Sequence, residues 1–434
     1  MVMAITIMMV TIDIPRAETG LAKRAGRHLL VYGRRKVGKT YIVRNFLEHD
    51  IYILVQRGGG FFVEGFGPGR IDSYDQFVGL LRSWLKDGKR VVLDEFQRLP
   101  EGFLDTVQSM ELNGQLILTG SSLHVVKDVI SPRSPVLGLF SEIKVSLIKP
   151  LDIFEGLLRY VKPQVAFELS PYLRDPWIIP YFRGKDTSLA DILLTSREAI
   201  RSLIGEVFLE EDKGLSAAYE GVIRALANGK WMLGEISDFL FSRKIIEKPD
   251  PHLVRPYFNN MEAMDLVKRV PIFEEKRFRY LITSPIMELG FYLDERYNFF
   301  QQDLSVQRID EVVRSMRPFH IERFCGEMFA QVYDGVYNYF YSKDFDIDFI
   351  ITRGRKPVAS GEVKWTEAAN KGDVSKFLER TRHIPGDKIF VSKKSIDDPR
   401  IVSITPMNIL KTIGTLRNVP AHSRILSRPK PHRQ

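Results

Sequence analysis

The chain has 434 residues, 44% of them hydrophobic and 27% charged, with 63 Lys and Arg against 54 acids and a formal net charge of +9. That length suggests two to four domains of soluble globular composition, each able to bury its own core. The single cysteine, Cys325, excludes an internal disulfide and a cysteine-based metal site, while the basic balance favours a polyanionic partner over an acidic one, a basic surface serving solubility being the alternative.

The apolar opening Met1–Val10 is too short to span a bilayer and lacks the basic flank of a signal peptide, so it reads as a buried strand of a cytoplasmic protein with no membrane partner. The run from His28 to Leu47 reads as a strand, a phosphate loop and a helix. Gly33-Arg-Arg-Lys-Val-Gly-Lys-Thr40 fits the Walker A pattern at every fixed position. Gly33 and Gly38 let the loop curl, so that the amides of Arg34, Arg35, Lys36 and Val37 can turn toward a β-phosphate. Lys39 reaches the β and γ oxygens, Thr40 ligates Mg²⁺, and Tyr41 completes the nucleotide-binding set at the start of the helix. A strand Ile51–Val55 and a helix near Tyr74–Leu85 follow, with a glycine-rich loop between them.

Lys89 to Gln97 is a short apolar strand ending in two acids, as in a Walker B. Asp94 is expected to hold Mg²⁺ through water, and Glu95 to orient and deprotonate the attacking water. A third strand, Gln115–Thr119, ends in Gly120-Ser121-Ser122, which places Ser121 to sense the γ-phosphate, although this is also ordinary turn chemistry. The alternation of strand and helix over residues 28–150 implies a parallel sheet covered on both faces, closed by a strand over Ser141–Leu147.

Residues 151–212 are helical in pattern, broken at Pro163, Pro171, Pro176 and Pro180, and fit a helical lid beside the nucleotide. Residues 213–300 carry helical spacing at Ala217–Ala227, Leu233–Phe241 and His252–Met264, then a β-wing over Lys268–Ile282, which together look like a winged helix. Arg255, Lys268, Arg269, Lys276, Arg277 and Arg279 are its candidate DNA contacts, with an intramolecular switch as the alternative role. In residues 301–416, Phe345–Ile351 and Val358–Trp365 read as neighbouring strands. Asp348 with Glu362-Val-Lys364 matches the PD-(D/E)xK nuclease pattern, because a strand puts residues two apart on one face, about 7 Å apart. Asp348 and Glu362 would form a hard oxygen site for Mg²⁺ or Mn²⁺, and Lys364 would orient water and offset charge. A surface ion pair, or a nuclease fold that only binds, is the alternative. The tail Arg417–Gln434 reads as a basic arm.

Gly-Arg-Arg-Lys-Val-Gly-Lys-Thr, Leu-Asp-Glu-Phe-Gln-Arg-Leu and Leu-Thr-Gly-Ser-Ser together resemble the archaeal ATPase family of AAA+/STAND-type P-loop proteins, over nearly the whole chain from residue 28. The resemblance implies an α/β fold: a P-loop parallel sheet over 1–150, a helical lid, a winged helix, and a restriction-endonuclease-like (DUF234-type) α/β C-terminal domain. It also implies ATP as ligand, Mg²⁺ as cofactor, DNA as partner, and Glu327 as the acid that such nuclease folds supply from their first helix. Homo-oligomerisation is left open. The implied function is ATP hydrolysis coupled to DNA binding or cleavage, or a STAND-type switch with a silent nuclease fold. Two departures stand out. Residues 1–27 lack the family's Phe-x-x-Arg-Glu-x-Glu box for the base, and Leu139 sits where members carry an arginine.

Overall fold

The structure, a computed structural model, describes residues 12–65, 69–121, 123–185, 187–210 and 216–418. The expected strand at Met1–Val10, Ser122, and the tail beyond residue 418 lie outside these.

The first sheet has seven strands in the order β4-β3-β2-β5-β6-β1-β7. Its strands are β1 His28–Tyr32, β2 Ile51–Val55, β3 Phe61–Gly65, β4 Arg70–Ile71, β5 Arg90–Asp94, β6 Gln115–Gly120 and β7 Phe140–Lys144. From β2 to β7 every pairing is parallel, while β3 and β4 are added to the β2 edge antiparallel. Leu29, Leu30 and Val31 of β1 are buried, as a central parallel strand covered on both faces requires. Two apolar clusters result, one on each side: Leu30, Val91 and Leu118 point to one, Leu29, Val92 and Ile117 to the other. Around this sheet lie α1 Ala17–Arg24, α2 Lys39–Phe46, α3 Tyr74–Lys86, α4 Phe103–Gln108 and α5 Leu123–Ile130.

The rest of the chain is built differently. The lid region holds α6 Pro150–Leu157, α7 Pro163–Leu173, a 3₁₀ turn Pro176–Tyr181 and α8 Leu189–Glu210. Next come α9 Ala217–Ala227, α10 Leu233–Ser242 and α11 Pro251–Ala263, then the hairpin of β8 Val267–Pro271 and β9 Phe278–Ile282. α12 Pro285–Tyr297 and the 28-residue α13 Val306–Tyr333 lead into a second sheet, ordered β10-β11-β12-β13-β14. Its strands are β10 Val336–Tyr341, β11 Asp346–Arg353, β12 Lys356–Lys364, β13 Asp387–Ser392 and β14 Val402–Ile404, flanked by α14 Lys371–Arg380 and α15 Ile409–Asn418. The first three strands pair antiparallel and the last three parallel. One apolar cluster runs through all of this, from Phe154 and Phe167 through Val222, Phe258 and Phe324 to Phe349 and Ile389. Lid, winged-helix-like segment and C-terminal sheet therefore share a core, which makes them one body beside the phosphate-loop sheet.

Candidate functional site

The phosphate loop is shaped by two glycines. At Gly33 a Cβ would collide with the carbonyl oxygen of Val145, where the chain leaves β7, so only glycine fits. Gly38 takes a left-handed φ of 92° and starts α2. Between them the side chains divide. Arg35, Lys36, Lys39, Thr40 and Tyr41 line a cavity of about 1140 Å³, as does Glu95. Val37 is instead buried in the sheet's core. Arg34 also turns away from the cavity, into a buried ion pair with Asp175 at 2.6 Å. What Arg34 offers a phosphate is its backbone, and its side chain joins the loop to the lid. Lys39 Nζ donates to the carbonyls of Gly33 and Arg34, which holds it inside the loop.

Asp94 ends β5 beneath the loop and accepts from four donors. Thr119 Oγ1 and the Glu95 amide bind Oδ1, while Thr40 Oγ1 and the Tyr52 phenol bind Oδ2 at 2.8 and 2.5 Å. A threonine hydroxyl that gives its hydrogen to Asp94 keeps its lone pairs for a cation, so the donor set fits Mg²⁺. That ion takes one or two protein ligands and completes its shell with water and phosphate oxygens. Glu95 sits at a left-handed φ of 59° just past the strand. Its Oε2 accepts from Gln97 Nε2 at 2.7 Å and from Ser121 Oγ at 3.3 Å, and lies 3.1 Å from the Arg98 guanidinium. Ser121, just past β6, therefore touches Glu95 directly.

The other wall of the cavity comes from residues before the motif and from the lid: Ile12, Ile14, Ile148, Trp177, Ile179 and Phe182. Arg16 lies under the loop, donating to the carbonyls of Val37 and Ser146 at 2.7 and 2.8 Å, and pairs with Glu18. Ile14 and Arg16, ahead of the first strand, thus line the same cavity as the phosphate loop, a placement that no motif in the sequence marked. The lid grips the loop a second time through Arg35 and Glu206 of α8, at 2.6 Å.

The C-terminal residues converge in part. Phe349 pairs with Gly361 across β11 and β12, which sets Asp348 opposite Glu362. Asp348 Oδ2 accepts from the Val363 amide at 2.7 Å, and Glu362 pairs with Lys364 at 2.6 Å. Glu327 is elsewhere. It pairs with Arg174, Lys268 and Arg323, three cations from the lid, the hairpin and its own helix. Burial lowers the pKa of Arg174 to about 10, as it does for Arg323, and pulls Lys268 well down. Glu327 touches all three cations and so serves as their counter-ion.

The helix acid facing the carboxylates is Glu322, about 140° around α13 from Glu327. It shares that face with Cys325 and with Phe329, which stacks on Phe349 at 5.2 Å. Burial, then the charges of Glu322 and Glu362, hold Asp348 well above the usual carboxylate range. Burial pushes Glu322 up to about 7, against the pull of Arg279. At Lys364 burial acts downward, but the Glu362 carboxylate more than offsets it and leaves the ammonium above its ordinary range. Among the described residues, no three His, Cys, Asp or Glu side chains stand where together they could hold a metal ion. In this conformation the acids do not close a metal site.

The wing cations are largely engaged within the chain. Lys268 is at Glu327, Arg269 pairs with Glu262, and Arg277 with Glu275. Arg279 lies over the rings of Trp231, Phe319 and Tyr339 at 4.2–5.5 Å. The hairpin itself is docked on β10, with Ile272 bridging Tyr339 and the Phe273 amide donating to the Tyr339 carbonyl. Of the six expected DNA contacts, Arg255, Arg269, Lys276 and Arg277 lie on the exposed surface, Arg269 and Arg277 within ion pairs, while Lys268 and Arg279 are half-buried. Among the described residues no helix is long and apolar enough to cross a membrane.

Comparison with known proteins agrees with this geometry at the first site. Residues 25–135 match the AAA domain family, a segment that holds the loop, Asp94 and Glu95. The chain is 25% identical over 302 residues to an uncharacterized protein of Methanocaldococcus jannaschii, a match that covers 62% of this chain and 64% of that protein, just under two thirds of its length. Among solved structures, a Walker-type ATPase of Pyrococcus abyssi shows 21% identity and a TM-score of 0.45, over 61% of this chain and 90% of that one. The ORC1 protein of Aeropyrum pernix, solved in complex with DNA, shows 16% identity and a TM-score of 0.30, over 64% and 88%.

Proposed function

We propose that this protein is a Mg²⁺-dependent ATPase whose nucleotide state is passed to the single C-terminal body, which acts as a switch toward a DNA or protein partner. The observation that carries the hydrolytic part is that Thr40 and Glu95 line one cavity, with Asp94 bound to Thr40 beneath it. Thr40 and Asp94 would hold Mg²⁺, which supplies charge neutralisation at the β and γ oxygens when bound. Lys39 binds the same oxygens, and Glu95 orients the attacking water and takes its proton. Arg34–Asp175 and Arg35–Glu206 support the coupling, because the loop that grips phosphate is itself held by the lid. Asp175 adjoins Arg174, whose partner Glu327 also holds the hairpin through Lys268.

A second reading, metal-dependent DNA cleavage, is favoured by Asp348, Glu362 and Lys364 sharing one patch of β11 and β12, with Glu322 above them. It stands second because those acids do not close a metal site and the wing is docked on β10. The test of the leading reading is phosphate release from ATP by the full chain, with Mg²⁺ and with EDTA. Turnover with Mg²⁺ alone is expected, and none in either buffer would refute it. Incubation with single- and double-stranded DNA under Mg²⁺ or Mn²⁺ separates the two readings.

A further inference from the structure

We propose that Tyr52 is a positioning residue of the metal site: its phenol fixes the Asp94 carboxylate in the orientation in which Asp94 and Thr40 meet Mg²⁺. This rests on the ATPase reading and adds a residue that no motif contains.

Tyr52 stands in an otherwise aliphatic strand, Ile51-Tyr-Ile-Leu-Val55, and is itself only 3% exposed. Phenylalanine would fill the same apolar space. The hydroxyl must therefore be explained by what it touches, and it donates to Asp94 Oδ2 at 2.5 Å. The register accounts for the reach. Leu54 opposes Asp94 across β2 and β5, and Tyr52, two residues earlier, projects from the same face of the pleat. Oδ2 is also the oxygen bound by Thr40, the hydroxyl that would turn its lone pairs to the cation.

The ring is held in place as well. The Arg44 guanidinium lies 4.5 Å from its centroid and pairs with Glu64 on β3. A clamp thus runs from the added antiparallel strand through Arg44 and Tyr52 to Asp94. Partners that orient a metal-binding group are worth about 10–100-fold in metal affinity or activity. Here the effect should fall on the cation and leave the nucleotide's own contacts with the loop intact.

The experiment compares the full-length wild type with Tyr52→Phe, by titration of a fluorescent ATP analogue in EDTA and then of Mg²⁺ into the nucleotide complex. Mn²⁺ binding by electron paramagnetic resonance, with a non-hydrolysable ATP analogue present, gives a readout free of turnover. The expected result is unchanged metal-free nucleotide affinity and a roughly tenfold higher metal concentration at half-saturation for Tyr52→Phe. Glu64→Gln, which loosens the clamp at its exposed end, should shift the same metal titration in the same direction by less. A wild-type metal titration in Tyr52→Phe would overturn the positioning role, as would an equal loss of metal-free nucleotide binding. A wild-type chain that binds no nucleotide would instead overturn the ATPase reading on which the role depends.

Discussion

Two carboxylates end up on strands of separate sheets, and their surroundings are opposite. Asp94 is met by four donors, from Thr40, Tyr52, Thr119 and the Glu95 amide. Asp348 accepts from one amide, that of Val363, and faces the acids Glu322 and Glu362 in a buried setting that raises its pKa well above the usual carboxylate range. The first arrangement stabilises negative charge before any cation arrives; the second penalises it until one does. Identical chemistry in the sequence, an aspartate on an apolar strand, thus meets hydrogen-bond donors in one place and neighbouring acids in the other.

The largest way to break this contrast is at the phosphate loop. Lys39→Ala should abolish ATP hydrolysis and weaken nucleotide binding, since the β and γ charges lose their fixed cation. Phosphate release and analogue titration measure both, and a variant that turns over like wild type would remove Lys39 from its role. At the other site, DNA incubated with the full chain and Mn²⁺ is expected to stay intact. Cutting that disappears in Asp348→Ala and Lys364→Ala would show that the cluster closes around metal after all.

A stability effect comes next. Arg34→Met leaves Asp175 buried with its charge uncompensated, so it should cost about 3–5 kcal/mol in chemical denaturation. Arg70→Ala, on an exposed pair with Asp72, should cost roughly 0–1 kcal/mol. Equal costs would mean that the lid does not depend on the loop. The smallest effect concerns pH. Glu322 titrates near 7 in the fold against 4.5 ordinarily, so the folded state keeps a proton that the unfolded chain gives up. Its contribution is full below pH 4.5 and is lost as pH rises to about 7. Glu322→Gln should flatten thermal stability across that window, and an unchanged slope would place Glu322 away from the acids.

The phosphate-loop sheet was legible because its chemistry leaves local marks. Gly33 and Gly38 satisfy backbone demands that other residues fail, and β1, β5 and β6 are short apolar runs with turn residues behind them. The strand pair bearing Asp348 and Glu362 was readable for the same reason, from alternation alone. The shared core was not. Phe167 against Phe324 and Trp365 is a contact between residues 157 or more apart in sequence, and no periodicity records it. Glu327 came from the resemblance, and nothing in the sequence pointed to Glu322, because helix spacing identifies faces without saying which one meets the sheet; the pair Cys325 and Phe329 marks that face only once Phe349 is placed. The partners of the wing cations were equally invisible, since Glu262, Glu327 and Trp231 come from other elements.

The most direct test of the central claim is a paired measurement on Glu95→Gln: ATP affinity by analogue titration, and single-turnover hydrolysis with Mg²⁺. The amide keeps the size of Glu95 and loses the base. Affinity equal to wild type with turnover reduced to background is the expected result. Wild-type turnover in Glu95→Gln would contradict the account, because the Thr40–Glu95 side of the cavity would then not be where water is activated.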